Sequence, residues 1–312
     1  MKLLLVGANG QLGRELRRSL RTLGQVVAAT RDGRLDDAGA GDAAPGPGAC
    51  AVADLSDPAG LEALVGAVAP DAVLNAAAYT AVDQAEGDAQ NAFRVNAQAP
   101  GILARGCAAA GVPLVHYSTD YVFDGQGTRP YREDDPTAPL GVYGASKLAG
   151  EDAVRAAGGR HLVLRTAWVY ATHGHNFLRT MLRLGAEREE LRVVADQVGT
   201  PTPAALIADV TAALLGQALA DTSLRGTWHL TAGGDTSWHG FAEAIFAEAV
   251  STGLLPRAPR VRPIATADYP TPARRPAYSC LDTARLRTDF GIEPPHWHDG
   301  LRGVIAALAA AR

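Results

Sequence analysis

Lys2-Leu-Leu-Leu-Val6-Gly7-Ala-Asn-Gly10-Gln-Leu-Gly13 is the stretch that decides the fold. Lys2 to Val6 is a short apolar run of the kind found in strands covered on both faces. Three glycines follow at once, spaced Gly-x2-Gly-x2-Gly. Leu12, Leu16, Leu20 and Leu23 then recur at spacings of four, four and three, the pattern of an amphipathic helix. Glycine permits a tight turn and lets backbone approach a ligand closely. The helix N-terminus offers free N–H groups and partial positive charge to a pyrophosphate. The spacing is not Gly-x-Gly-x-x-Gly, so the position of Gly7, Gly10 and Gly13 between strand and helix carries the reading.

Outward from this unit the same alternation continues. Strands are expected at Gln25 to Thr30, Cys50 to Leu55, Ala72 to Ala76, Pro113 to Ser118 and His161 to Thr166. Helical patterns lie between them: Leu61 to Val68, a long one from about Asp88 to Ala110, and Leu140 to Ala157. Residues 31–49, rich in Gly, Asp, Ala and Pro, read as an excursion loop. Strand and helix in alternation predict an α/β fold with a doubly wound parallel sheet. After about Ala171 the regularity breaks into short strands (Leu191 to Val194, Thr227 to Thr231), helices and Pro-rich loops. The expectation is a dinucleotide-binding domain over 1–170. Residues 171–312 would then form mainly a smaller substrate-binding lobe, with some segments returning to the sheet.

Composition bounds the function. At 312 residues the chain spans roughly two average domains. Apolar residues make up 47% and charged residues 20%, which excludes wholesale disorder. The net charge of −4 gives no electrostatic reason to expect nucleic acid or an anionic membrane as partner. Three scattered cysteines, Cys50, Cys107 and Cys280, form no CxxC pair, so neither a disulfide framework nor a structural zinc site is expected. The apolar start is too short for a signal peptide. The most apolar run, Ala204 to Ala220, carries Asp209. A soluble cytoplasmic protein is the expectation.

The second strand ends Thr30-Arg31-Asp32. In dinucleotide folds an acid here binds the ribose 2′-OH of NAD, and an Arg accommodates the phosphate of NADP. Arg31 therefore favours NADPH, while Asp32 leaves NADH open; a solvated loop cation is the plain alternative for Arg31. Asp54, in Asp54-Leu55-Ser-Asp57, is placed to contact the adenine or simply to open the next helix.

Tyr143-Gly-Ala-Ser-Lys147 puts a phenol and an ammonium four residues apart on one helical face. A phenol with pKa ~10 exchanges protons poorly at neutral pH, and a fixed cation lowers that value toward the working range. Of 29 basic residues only Lys2 and Lys147 are lysines. With 8 Tyr in 312 positions, chance would place one at this offset only about 3% of the time. Upstream, Ser118-Thr119-Asp120-Tyr121 follows the fifth strand at the carboxyl edge of the sheet, where open α/β sheets bind ligands. Ser118 or Thr119 could hydrogen-bond a substrate carbonyl, and the residues alone do not choose between them.

Together these segments resemble the extended short-chain dehydrogenase/reductase superfamily and, more closely, the dTDP-4-dehydrorhamnose reductase family. The likeness extends through Asn75-Ala-Ala-Ala-Tyr79-Thr-Ala-Val-Asp83, Val95-Asn96, Ser118-Thr-Asp-Tyr-Val-Phe-Asp124, Arg165-Thr-Ala-Trp168-Val-Tyr170, Asn176-Phe177, Asp196-Gln-Val-Gly-Thr-Pro201 and Arg275-Pro276. It implies reduction of the 4-keto group of a dTDP-4-keto-6-deoxy-L-hexose with hydride from a nicotinamide. Thr119 would be the catalytic hydroxyl and Tyr143 the proton donor, with Lys147 on the nicotinamide ribose. Gly10, Gln11 and Leu12 would bind pyrophosphate. Leu55, Ala76, Ala78, Tyr79 and Thr80 would line the cofactor cleft. Val82, Asp120, Trp168 and Asn176 would meet the sugar, Trp168 offering a dry face to a C6 methyl.

Some members bind Mg²⁺ through carboxylates at a homodimer interface. Glu15 and Glu190 sit where such ligands could be, but as carboxylates on two surface helices they are ordinarily just solvated, and no metal is assigned. The Gly33 to Gly48 stretch is longer than the family's usual loop. Three other readings are open: a related 4-ketoreductase of antibiotic-sugar assembly, such as a dihydrostreptose-forming synthase; an epimerase; and a dinucleotide-binding regulatory subunit like that of methionine adenosyltransferase.

Overall fold

The computed structural model describes residues 1–36 and 50–311. Most of the expected excursion loop, and of the Gly33 to Gly48 stretch, lies outside the described residues. Seven parallel strands form the central sheet: β1 (Lys2–Val6), β2 (Gln25–Thr30), β3 (Cys50–Val52), β4 (Ala72–Asn75), β5 (Leu114–Thr119), β6 (His161–Thr166) and β7 (Gly226–His229). Their spatial order is β7-β6-β5-β4-β1-β2-β3, the doubly wound arrangement expected.

The side chains of each strand divide between two cores. Leu3, Leu5, Leu74, Val115 and Leu164 point into one, with α1 (Gln11–Ser19); Leu4, Val6, Val73, Leu114 and Val163 point into the other, with α2 (Pro58–Val68) and α3 (Ala99–Ala110). This two-sided burial is why the strands are apolar throughout. A third cluster knits α5 (Phe177–Glu187), α7 (Trp238–Ser251) and α8 (Trp297–Ala310) in the C-terminal half. The strand pair Glu190–Val194 and Arg260–Ile264 lies beside them.

Two expected boundaries are modified, and two C-terminal segments join the sheet. β3 stops at Val52 rather than Leu55, because Asp54 turns the chain: its Oδ1 accepts from the Ser56 N–H at 2.9 Å and the Ser56 hydroxyl at 2.8 Å. The long helical pattern is interrupted by a π-helical stretch, Arg94–Gln98, between Ala89–Phe93 and α3. The strand foreseen at Thr227 to Thr231 becomes β7 and pairs in parallel with β6. α6 (Ala204–Ala220) also returns to the sheet, burying Ile207, Leu214 and Leu215 in the core shared with α1. Its Asp209 accepts from Arg18 at 2.8 Å and from Ser19 at 2.6 Å. This run is thus a core helix, and no described helix is long and apolar enough to cross a membrane.

Candidate active site

The carboxyl ends of β1, β2, β4, β5 and β6 open onto one cleft of about 1220 Å³. That exceeds the usual volume of a single small-molecule site, ~300–1,000 Å³, and suits two ligands side by side. The cradle at its floor is built from absent side chains. Gly7 has φ +84°, and a Cβ there would lie 2.6 Å from the Ala77 nitrogen. A Cβ on Gly13 would come within 2.1 Å of the Gly7 carbonyl oxygen. Backbone therefore meets backbone with no room to spare, and the α1 N–H groups face the cleft. A dinucleotide pyrophosphate fits this cradle.

Gly7, Gly10, Gln11, Leu12, Arg31, Asp54, Leu55, Ala76, Ala78, Tyr79 and Thr80 line the cleft, as do Val82, Thr119, Asp120, Tyr143, Lys147 and Trp168. Gly13 acts from behind, through close packing. Asn176 is not part of the lining. It is buried as the N-cap of α5, its Oδ1 accepting from the Arg179 N–H at 3.0 Å and its Nδ2 donating to Gln11 Oε1 at 2.8 Å. In this structure its amide caps α5 and ties the C-terminal half to the glycine turn. Asp32 is folded back on its own turn, accepting from the Arg34 N–H at 3.2 Å and the Thr30 hydroxyl at 3.3 Å.

Ser118 and Thr119, equivalent in sequence, are separated by strand alternation. Ser118 donates to the buried Glu151 at 2.6 Å. Thr119 donates to Asp120 Oδ1 at 2.9 Å and lines the same cleft as Tyr143. Both residues border the cleft, but the Ser118 hydroxyl is committed to Glu151, which leaves Thr119 as the hydroxyl beside Tyr143 there. Both Tyr143 and Lys147 come from α4 (Val142–Ala156), whose Gly144 and Gly150 let it press against the Tyr121 and Asn96 backbones. The Lys147 ammonium is buried and donates to the Tyr117 carbonyl at 2.5 Å.

Burial sets the proton affinities here. It pushes the Tyr143 phenol up to about 12, opposed by the Thr119 hydroxyl and reinforced by the Asp120 charge. Burial, not the expected lowering by Lys147, sets the direction of this shift. The same desolvation brings Lys147 down to about 8, against the pull of Glu151. Asp120 rises to about 6, chiefly through burial. The Ser279 hydroxyl works against that rise, but Asp120 Oδ2 lacks a well-formed hydrogen bond among the described residues.

Other residues complete the site. Asn96, carried by the π-helical stretch, clamps the Tyr79 backbone: Tyr79 N–H donates to its Oδ1 at 2.8 Å, and its Nδ2 donates to the Tyr79 carbonyl at 3.0 Å and to Ser146 at 3.0 Å. Val95-Asn96 is a quoted segment, but its clamp is a three-dimensional fact. Trp238 joins the lining from α7 and stacks on Trp168, with ring centroids 3.5 Å apart and planes 4° from parallel. Trp168 has φ +47°, rare for a bulky residue. No motif links Trp238 to the cleft. Arg94, also in the lining, was not foreseen.

The carboxylates considered for a metal stand apart in their partners. Glu15, on α1, faces Arg18 at 3.4 Å and His173 at 3.7 Å. Glu190 opens a strand rather than sitting on a helix, and pairs with Arg262 at 3.5 Å. Among the described residues no group of three or more His, Cys, Asp or Glu side chains is placed to hold a metal.

Comparison with known proteins gives the same picture over the full chain. Residues 1–310 match the family described as RmlD substrate binding domain. The chain is 50% identical to a dTDP-4-dehydrorhamnose reductase of Burkholderia thailandensis, over 95% of each chain. It is 42% identical to one of Escherichia coli, over 99% of this chain and 98% of the relative. The solved structure of the Bacillus anthracis dTDP-4-dehydrorhamnose reductase, in complex with NADP, superposes with a TM-score of 0.85 at 33% identity, covering 98% of this chain and 99% of that one. The chain belongs to the dTDP-4-dehydrorhamnose reductase family.

Proposed function

We propose that the protein reduces the 4-keto group of a dTDP-4-keto-6-deoxy-L-hexose at the expense of NADPH, giving dTDP-L-rhamnose. The observation that carries this reading is the meeting of Thr119, Tyr143 and Lys147 beside a glycine cradle in one cleft. Relatives named dTDP-4-dehydrorhamnose reductase at up to 50% identity support the substrate class, and the NADP-bound relative supports the cofactor. Arg31 at the adenosine end, with Asp32 engaged by its own turn, is consistent with NADPH rather than NADH. The lobe around α5, α7 and α8 is read as the sugar side of the cleft.

A bound reduced nicotinamide supplies hydride to the carbonyl carbon. Lys147, anchored on the Tyr117 carbonyl, would hold the cofactor's ribose and place positive charge near the reacting oxygen. Thr119 orients that oxygen, and Tyr143 delivers its proton. A phenol kept protonated by burial is in the right state to donate. The Trp168–Trp238 stack gives the sugar's methyl group a rigid apolar wall. In the test, the protein is incubated with the keto-sugar and either nicotinamide, and loss of reduced nicotinamide is followed by absorbance. Stoichiometric consumption is expected. Tyr143→Phe should still bind NADPH and lose turnover by about 10²–10⁴-fold; a variant with the original kcat would remove Tyr143 as donor.

A further inference from the structure

Behind Lys147 lies a buried charge cluster that the reaction as described does not use. Glu151 is one helical turn further along α4 and is fully buried. Its Oε1 accepts from Ser118 at 2.6 Å and Arg165 Nε at 2.9 Å; its Oε2 accepts from Arg165 Nη2 at 2.8 Å and Arg155 Nη1 at 3.2 Å. Arg165, on β6, is itself only 3% exposed and sits over the Phe123 ring. Tyr143, Lys147 and Glu151 thus occupy successive turns of one helix face. Ser118 comes from the residue next to Thr119, so both strand-end hydroxyls are used, one toward the cleft and one toward this carboxylate.

We propose that Glu151 is a positioning residue of the active site: locked between Ser118 and Arg165, its carboxylate is the counter-ion that keeps the Lys147 ammonium charged inside the cleft. The proposal rests on the reading of Lys147 as the cation that holds the cofactor. An ammonium with one carbonyl acceptor in a dry site tends to lose its proton. Among the described residues, the groups on the elements packed around it offer no other anion so placed. β5 contributes His116, kept neutral by burial and by Lys147 itself, together with Tyr117. The turn after β5 contributes Asp120, whose own ionisation burial opposes. Arg94 and Arg105 lie on the helical stretches against α4, and Asp83 is paired with Arg275 at 2.9 Å. Arg165 and Arg155, both on the Glu151 carboxylate, add positive charge that Glu151 offsets in part. Among the described residues, Glu151 remains the one buried, fully hydrogen-bonded carboxylate on the lysine's own face.

The chain carries only two lysines, so the test reads the group directly. Protein labelled with ¹³Cε-lysine gives two signals, and Lys2→Arg assigns them. Titration of Lys147 is followed by NMR in the wild type, Glu151→Gln and Arg165→Gln, with folding checked by thermal denaturation. The expected midpoint moves down by about one pH unit or more in Glu151→Gln and upward in Arg165→Gln. NADPH binding, read by nicotinamide fluorescence, should weaken at correspondingly lower pH in Glu151→Gln. A folded Glu151→Gln whose Lys147 midpoint stays within a few tenths of the wild type overturns the proposal. Should that variant not fold, a downward or absent shift in Arg165→Gln overturns it as well. Failure of the wild type to bind NADPH would instead refute the dinucleotide reading, leaving the lysine titration to stand by itself.

Discussion

Replacing Asp120 by Asn should make the protein more stable and a worse catalyst, and the size of the gain should depend on pH. Asp120 is 2% exposed, and burial raises its pKa from an ordinary 3.8 to about 6. The unfolded chain therefore releases the proton first. Between those two values the folded state binds more protons than the unfolded state, so stability falls as pH rises. The cost is complete above the folded value. Two pKa units at ~1.4 kcal/mol each give about 3 kcal/mol at about pH 8, and about half of that at about pH 5. Asparagine never ionises, and its Oδ1 still accepts from Thr119. Urea denaturation of both proteins at the two pH values measures the difference. A gain at the higher pH that shrinks toward the lower is expected, together with a lower kcat/KM for the keto-sugar. Equal stability of the two proteins at about pH 8, or a gain independent of pH, would show that the Asp120 carboxylate is not held against its ionisation.

Three further substitutions probe the rest of the site. Lys147→Arg keeps the charge but forces a planar fork into a buried site whose acceptor is the Tyr117 carbonyl; NADPH affinity should drop at least about tenfold by fluorescence titration. Gly13→Ala places a methyl 2.1 Å from the Gly7 oxygen, a backbone clash that should cost about 3 kcal/mol or more, measured by denaturation, and should abolish cofactor binding. Trp238→Ala removes the ring stacked on Trp168; KM for the sugar should rise several-fold while NADPH affinity stays unchanged, read from separate titrations.

Much of the sheet was legible because its strands are buried on both faces and so read as apolar runs. The glycine turn was legible because its spacing is dictated by backbone contact. Elsewhere local pattern and three-dimensional use diverge. The π-helical stretch keeps a helical spacing of apolar residues, so nothing in the pattern announces that Asn96 turns toward Tyr79. β3 ends at Val52 because one side chain, Asp54, turns the chain by accepting from the Ser56 backbone N–H. Asn176 shows the converse: a motif residue beside the site whose amide is taken up by a helix cap and a tie to Gln11, which spacing does not reveal. Trp238 reaches the cleft only through the packing of α7 on α5, which sequence spacing does not encode. The choice between Ser118 and Thr119 needed the orientation of β5, since adjacent strand residues point to opposite faces.

The protonation states also bear on the direction of the chemistry. A 4-epimerase must begin by taking a proton from a hydroxyl, so its tyrosine has to give up its own proton readily. Here burial and the neighbouring Asp120 both raise the Tyr143 phenol, to about 12. The cation on the next turn is itself weakened by desolvation and turned toward the Tyr117 carbonyl. Such a site stores the proton rather than the phenolate, which favours reduction of a ketone over oxidation of an alcohol at neutral pH. It follows that the activity should be lost at high pH when Tyr143 or Lys147 gives up its proton, and should not require a low-pH group to be deprotonated beyond Asp120. A rate profile flat from about pH 6.5 to 7.5 that falls on the alkaline side fits this order; a rate that climbs steadily through that alkaline range would mean that the phenolate is the working form.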